Sequence, residues 1–111
     1  MSQNPYSNNV LLNLGIQSLN KMQVAAENAI LKENNILLLS PTGSGKTLAF
    51  LLPIFQMMEE ELKEVQCLIL VPSRELGLQI EQVWKKMGTH FKVNTCYGGH
   101  SIETEFKNLS N

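Results

Sequence analysis

The sequence contains no aspartate, and its only arginine is Arg74. Sites that transfer phosphoryl groups commonly hold a divalent cation and orient a water with an acidic side chain at the end of a strand, and many add an arginine. All ten acidic residues here are glutamates, and none follows an apolar run in the way such a site requires. Cysteine is scarce too: Cys67 and Cys96 lie in apolar runs without metal-ligand spacing. They read as reduced core thiols of a cytoplasmic protein, with one incidental disulfide as the alternative. The longest apolar run, residues 48–55, contains Pro53 and falls far short of the roughly 20 residues that span a bilayer. The polar opening MSQNPYSNN does not read as a signal peptide, and no membrane partner is expected. A formal net charge of −1 excludes a global basic field, so nucleic acid could be held only by local groups.

What is present suits a globular α/β chain: 43% hydrophobic and 17% charged residues over 111 positions, enough for one small domain. Residues 36–50, ILLLSPTGSGKTLAF, organise the rest. The aliphatic run 36–39 reads as a buried strand. Pro41, Gly43 and Gly45 then break it, and Leu48, Leu51 and Leu52 recur at helical spacing from Lys46 onward. Strand, glycine turn and helix start together make a phosphate-binding loop. Consecutive N–H groups of Thr42, Gly43, Ser44 and Gly45 would line one concavity facing the positive end of a helix. Lys46 would add a cation for the β/γ-phosphates of ATP, and the Thr47 hydroxyl suits Mg²⁺. Ser40 stands where the usual G-x-x-x-x-G-K-[ST] pattern has its first glycine, a position where a small residue still forms the turn. The plainer alternative is a glycine-rich turn with a surface lysine.

Read in order, residues 1–9 look like a flexible arm, followed by a short apolar stretch ending at Gly15. Met22, Ala25, Ala26, Ala29 and Ile30 form a helical stripe. Asn20 is a candidate N-cap and Gln23 falls at the capping-box position. The helix from Lys46 should run to about Met58, with Pro53 a candidate kink. Residues 59–64, EEELKE, read as a solvated surface segment. Residues 66–71 form a second buried strand, stopped by Pro72 and Ser73. A helix then carries Leu76, Ile80, Val83, Trp84 and Met87 on one face, closed by Gly88. Residues 91–97 read as a third strand, stopped by Gly98 and Gly99, and residues 101–109 read as the start of another helix. Strand and helix alternating in this way predict a parallel sheet flanked by helices.

Four stretches share a register with one family. GIQSLNKMQ (residues 15–23), SPTGSGKT (40–47), PSRELGLQI (72–80) and YGG (97–99) resemble, in order, the Q motif, motif I, motif Ia and the following GG element of DEAD-box ATP-dependent RNA helicases. The phosphate loop alone specifies only a P-loop NTPase; joined to PSREL at this distance it is far more specific. The Q motif departs from its usual G-F-x-x-P-T-x-I-Q form at Ile16, Leu19, Asn20 and Met22. The resemblance implies that residues 10–111 are the N-terminal portion of a RecA-like ATP-binding domain, ahead of the D-E-A-D motif, the S-A-T motif and the second RecA-like domain.

The resemblance also implies roles. Lys46 and Thr47 would serve catalysis, and Gln23 would read adenine, its carboxamide pairing with N6–H and N7. Capping α-helical N–H groups is the other use open to Gln23. Arg74, with Pro72 and Ser73 at a helix start, would contact RNA phosphate, and Gly98 and Gly99 would admit the RNA backbone. A surface arginine and a plain turn are the competing readings. The partners implied are RNA, bound without regard to sequence, and the remainder of the helicase core. With part of its sheet missing, the chain alone would be prone to self-association. A non-catalytic nucleotide- or RNA-binding module, or another P-loop NTPase, is the alternative to an ATP-driven helicase. Because the chain lacks aspartate, it is expected not to turn over ATP by itself. Phosphate release measured with and without RNA checks this, and RNA-stimulated turnover by the chain would contradict it.

Overall fold

The computed structural model describes residues 5–96. Four helices make up its regular structure: α1 (Pro5–Leu14), α2 (Lys21–Lys32), α3 (Lys46–Met57) and α4 (Arg74–Met87). Helix α1 begins inside the stretch read from sequence as an arm. Pro5 opens it, where a missing N–H costs nothing. Gly15, at φ +73°, closes it: its N–H donates to the Leu12 carbonyl and that of Ile16 to the Leu11 carbonyl. This pair of bonds is the Schellman arrangement, which needs a residue at ease in the left-handed region.

The remaining helix ends follow the sequence signals. Asn20 caps α2 by accepting from the Gln23 N–H at 2.8 Å, while the Gln23 Oε1 accepts from the Asn20 N–H at 3.0 Å, a complete capping box. Helix α3 continues through the buried Pro53, which removes the bond that would reach the Ala49 carbonyl, and stops at Met57. Ser73 caps α4 by accepting from the Leu76 N–H at 3.2 Å, and Gly88 ends it at φ +69°. Glu75 in the first turn and Lys85 and Lys86 in the last oppose the helix dipole in the favourable sense.

The core lies among α1, α3 and α4: Val10, Leu51, Leu52, Phe55, Ile80, Trp84 and Met87. Phe55 meets Trp84 and Phe91 edge to face, at centroid distances of 6.3 and 6.2 Å. The Trp84 indole N–H donates to the Phe91 carbonyl at 3.1 Å, so α4 is fastened to the segment that follows it. Asn13 of α1 donates to the Met87 carbonyl at 2.9 Å and so satisfies an acceptor at the end of α4. Cys67 is half-buried, which raises the pKa of its thiol, and Cys96 is exposed rather than in the core, because it lies on the outward side of the 91–96 segment.

No β-strand is present among the described residues. The runs expected to be strands, 36–39, 66–71 and 91–96, are irregular segments without a ladder, and Tyr97 lies outside the described residues, as does the helix sought in 101–109. Their exposure nevertheless alternates with the period of two that extended chain imposes. Leu37 and Leu39 are each 83% exposed, Leu68 78% and Leu70 86%. Leu38, Cys67, Val71, Phe91 and Val93 are half-buried, and Val71, Phe91 and Val93 pack on the core. Aliphatic runs report burial potential; they do not report pairing partners or how many faces are covered. Here the helices cover one face only. Leu51→Ala should therefore cost about 2–5 kcal/mol, whereas Leu37→Ala should change stability by less than about 0.5 kcal/mol. Urea unfolding of the two variants checks the contrast; equal losses would mean that the second face is covered in solution.

Candidate nucleotide-binding site

The loop between the 36–39 run and α3 is shaped by two glycines in the left-handed region, Gly43 at φ +83° and Gly45 at φ +89°. A side chain at Gly45 is disfavoured on two counts. Its backbone is unsuited to a Cβ, and a Cβ there would lie 2.5 Å from the Gln23 Nε2. Ser44 is tied within the loop. Its hydroxyl donates to the Pro41 carbonyl at 2.6 Å and shares a short hydrogen bond with the Ser40 hydroxyl. Ser40, at the position of the missing first glycine, thus links the two ends of the turn.

Gly45 is the N-cap of α3 and offers no side chain to its first turn, which also carries no acidic residue. Ala49 is the first residue whose N–H bonds back into the helix, to the Gly45 carbonyl at 3.2 Å. Among the described residues the N–H groups of Lys46, Thr47 and Leu48 have no protein acceptor, and the Lys46 and Thr47 side chains are half-buried beside them. Unsatisfied donors at the positive end of a helix dipole, next to a lysine, favour a phosphate. The donor set thus fits a nucleotide's phosphates. Thr47 offers a single hydroxyl toward a divalent cation, and no cluster of three His, Cys, Asp or Glu forms a metal site among the described residues.

Helix α2 supports this loop from one side. The buried Gln23 donates from Nε2 to the Gly45 carbonyl at 3.1 Å, and Asn20 donates from Nδ2 to the Ser44 carbonyl at 3.0 Å. Gln23, Asn20, Thr42, Gly43, Ser44, Gly45, Lys46 and Thr47 therefore form one cluster. The Gln23 carboxamide makes its capping bond and its loop bond together, leaving one N–H and one oxygen lone pair. Further tied to this unit, Gln56 of α3 donates to the Glu27 carboxylate of α2. The sequence reading missed the Asn20 and Ser40 contacts with Ser44. A capping carboxamide uses only its oxygen, so the idle NH₂ of Asn20 was the available signal.

The second set of site residues is separate from this loop in sequence and sits at the start of α4. Pro72, Ser73 and Arg74 are exposed there, with the Ser73 hydroxyl occupied as the cap. Gly98 and Gly99 lie outside the described residues. His90 is exposed, at φ +69°, in the turn between α4 and Phe91. No helix among the described residues is long and apolar enough to cross a membrane.

Comparison with known proteins gives a consistent family. A profile of the DEAD/DEAH box helicase family matches residues 20–111. The chain is 36% identical over 97 residues to the DEAD-box ATP-dependent RNA helicase CshC of Bacillus cereus, a match covering 86% of this chain and 25% of that protein. It is 37% identical over 98 residues to the probable ATP-dependent RNA helicase YfmL of Bacillus subtilis, covering 86% of this chain and 26% of that one. With the ATP-dependent RNA helicase DeaD of Escherichia coli it shares 33% identity over 102 residues, 89% of this chain and 16% of the relative. The chain thus spans about a quarter or less of the relatives it matches.

Since Gln23 serves both the α2 cap and the loop, Gln23→Ala should destabilise the chain by about 1–2 kcal/mol and lower Tm by at least about 4 °C. Gln23→Glu, which keeps the capping acceptor, should lose less. Thermal unfolding followed by circular dichroism checks both, and an unchanged Tm for Gln23→Ala would contradict the double role.

Proposed function

The chain belongs to the DEAD/DEAH box helicase family, whose domain has a RecA-like fold, and on that premise we propose that it is the ATP-binding part of an ATP-dependent RNA helicase. The observation that carries this reading is the phosphate loop, with its unsatisfied N–H groups at the start of α3 and Lys46 and Thr47 beside them. ATP phosphates would rest on the N–H groups of the 42–47 loop other than that of Ser44, which donates to the Pro41 carbonyl at 3.3 Å, and the Lys46 ammonium would offset their charge. Thr47 would give one oxygen to Mg²⁺, which when bound neutralises charge developing on the transferred phosphoryl group. The N–H and lone pair left on Gln23 would meet the adenine edge. Pro72, Ser73 and Arg74, joined by Gly98 and Gly99, would hold RNA through its backbone, without reading bases.

In the intact helicase, ATP and RNA would draw two RecA-like lobes together, bend one strand and separate a short duplex; hydrolysis would reopen the cleft. The alternating exposure of the 36–39, 66–71 and 91–96 segments supports their joining a parallel sheet flanked by helices once the rest of the domain is present. On this reading residues 10–111 are the N-terminal portion of that domain, ahead of the D-E-A-D motif, and the protein is cytoplasmic. Alone, the chain would bind nucleotide or RNA without turnover and would tend to self-associate through its open apolar face. The absence of aspartate favours this non-catalytic description of the chain itself.

Calorimetric titration with ADP and GDP tests the reading. ADP should bind about five- to a hundredfold tighter than GDP, since guanine presents an acceptor where adenine presents a donor. Lys46→Ala should weaken both, because the phosphates are common to them. Equal affinities in the wild type, or binding indifferent to Lys46→Ala, would contradict the proposal.

A further inference from the structure

We propose that Asn20 is a positioning residue for the phosphate loop: one end of its carboxamide caps α2, and the other turns the Ser44–Gly45 peptide so that the Gly45 N–H faces the phosphates. This inference rests on the nucleotide-binding reading above and deepens it.

Two consecutive peptides of the loop are held by their carbonyls from the α2 side. The Ser44 carbonyl accepts from Asn20 Nδ2 at 3.0 Å, and the Gly45 carbonyl accepts from Gln23 Nε2 at 3.1 Å. No peptide bond in this region is cis. In a trans peptide the carbonyl and the N–H point in opposite directions. Turning the Ser44 carbonyl toward Asn20 therefore turns the Gly45 N–H away from α2. Turning the Gly45 carbonyl toward Gln23 does the same for the Lys46 N–H. Two adjacent donors are thereby aimed alike before any ligand arrives, and donors fixed in advance need no reorganisation on binding. Glycine at 45 makes this orientation adoptable, since φ +89° is open to it at little cost.

Asn20 is suited to this because its acceptor and donor are different atoms. Oδ1 takes the Gln23 N–H at 2.8 Å while Nδ2 reaches Ser44. The family pattern has threonine at this position, whose hydroxyl places both functions on one oxygen. The carboxamide is thus a feature of this chain: it joins the helix cap to the loop through a single side chain, across 24 positions of sequence. The contact also complements the Ser44 hydroxyl bonds to Ser40 and Pro41, which hold the other side of the same residue.

Asn20→Ser separates the two functions, because serine caps helices as well as asparagine, but its single oxygen, engaged by the Gln23 N–H, lacks the reach of the amide toward Ser44. In the ligand-free chain, the expected result is a Tm within about 2 °C of wild type, a displaced ¹⁵N–¹H resonance for Gly45, and faster hydrogen exchange at that amide. Inorganic pyrophosphate, the probe for the N–H cradle, should bind about tenfold more weakly, while adenosine binding stays unchanged. An unchanged Gly45 amide together with unchanged pyrophosphate affinity would overturn the proposal. If Gly45 responds but wild type binds no pyrophosphate, the nucleotide reading fails and the orienting role of Asn20 stands. Should Asn20→Ser unfold, Asn20→Asp, an equally good cap without the donor, gives the same Gly45 readout.

Discussion

The Gly45 carbonyl is the junction on which this structure depends. It accepts from the Gln23 carboxamide of α2 and from the Ala49 N–H of α3, so a helix start, a loop and a second helix meet at one oxygen. Glycine at 45 suits the junction: its left-handed backbone is strained for other residues, and a Cβ there would push the Gln23 carboxamide off the carbonyl it holds. Around it, the sequence spends its hydroxyls and carboxamides on the loop backbone, leaving the N–H groups at the start of α3 without protein partners. A concavity of unsatisfied donors is costly unless an anion or water fills it. That unmet demand links fold to function here.

Much of this was legible in the residues. Asn20 and Gln23 at capping-box spacing, the glycine pair ahead of Lys46, Ser73 before α4 and Gly88 after it are local signals, and each marks a helix end in the structure. Trp84 was readable as core from its place on an apolar stripe. The non-local features were less legible. Leu37, Leu39, Leu68 and Leu70 are as aliphatic as any core residue, yet they stand exposed, because an apolar run does not state whether one face or two will be covered. Helix α1 was hidden by the polar composition of its first turn, which the Schellman closure at Gly15 and the packing of Val10 outweigh. The Asn20 contact with Ser44 spans two elements and has no periodic signature.

The proposed function divides between groups that this chain has and groups that it lacks. Its helices present a nucleotide-shaped set of donors and an exposed arginine at the start of α4, and its sequence offers no aspartate to complete phosphoryl transfer. On the proposed reading the residues present serve binding and orientation, and hydrolysis would call for acidic groups that this sequence does not contain.

The most direct test of the phosphate loop's role is a ¹⁵N–¹H correlation spectrum titrated with ADP and Mg²⁺. The amides of Gly43, Gly45, Lys46 and Thr47 should move downfield together and saturate with one dissociation constant, as N–H groups gaining a phosphate acceptor do. Saturable shifts confined to residues away from the loop, or no shifts at millimolar nucleotide, would contradict it.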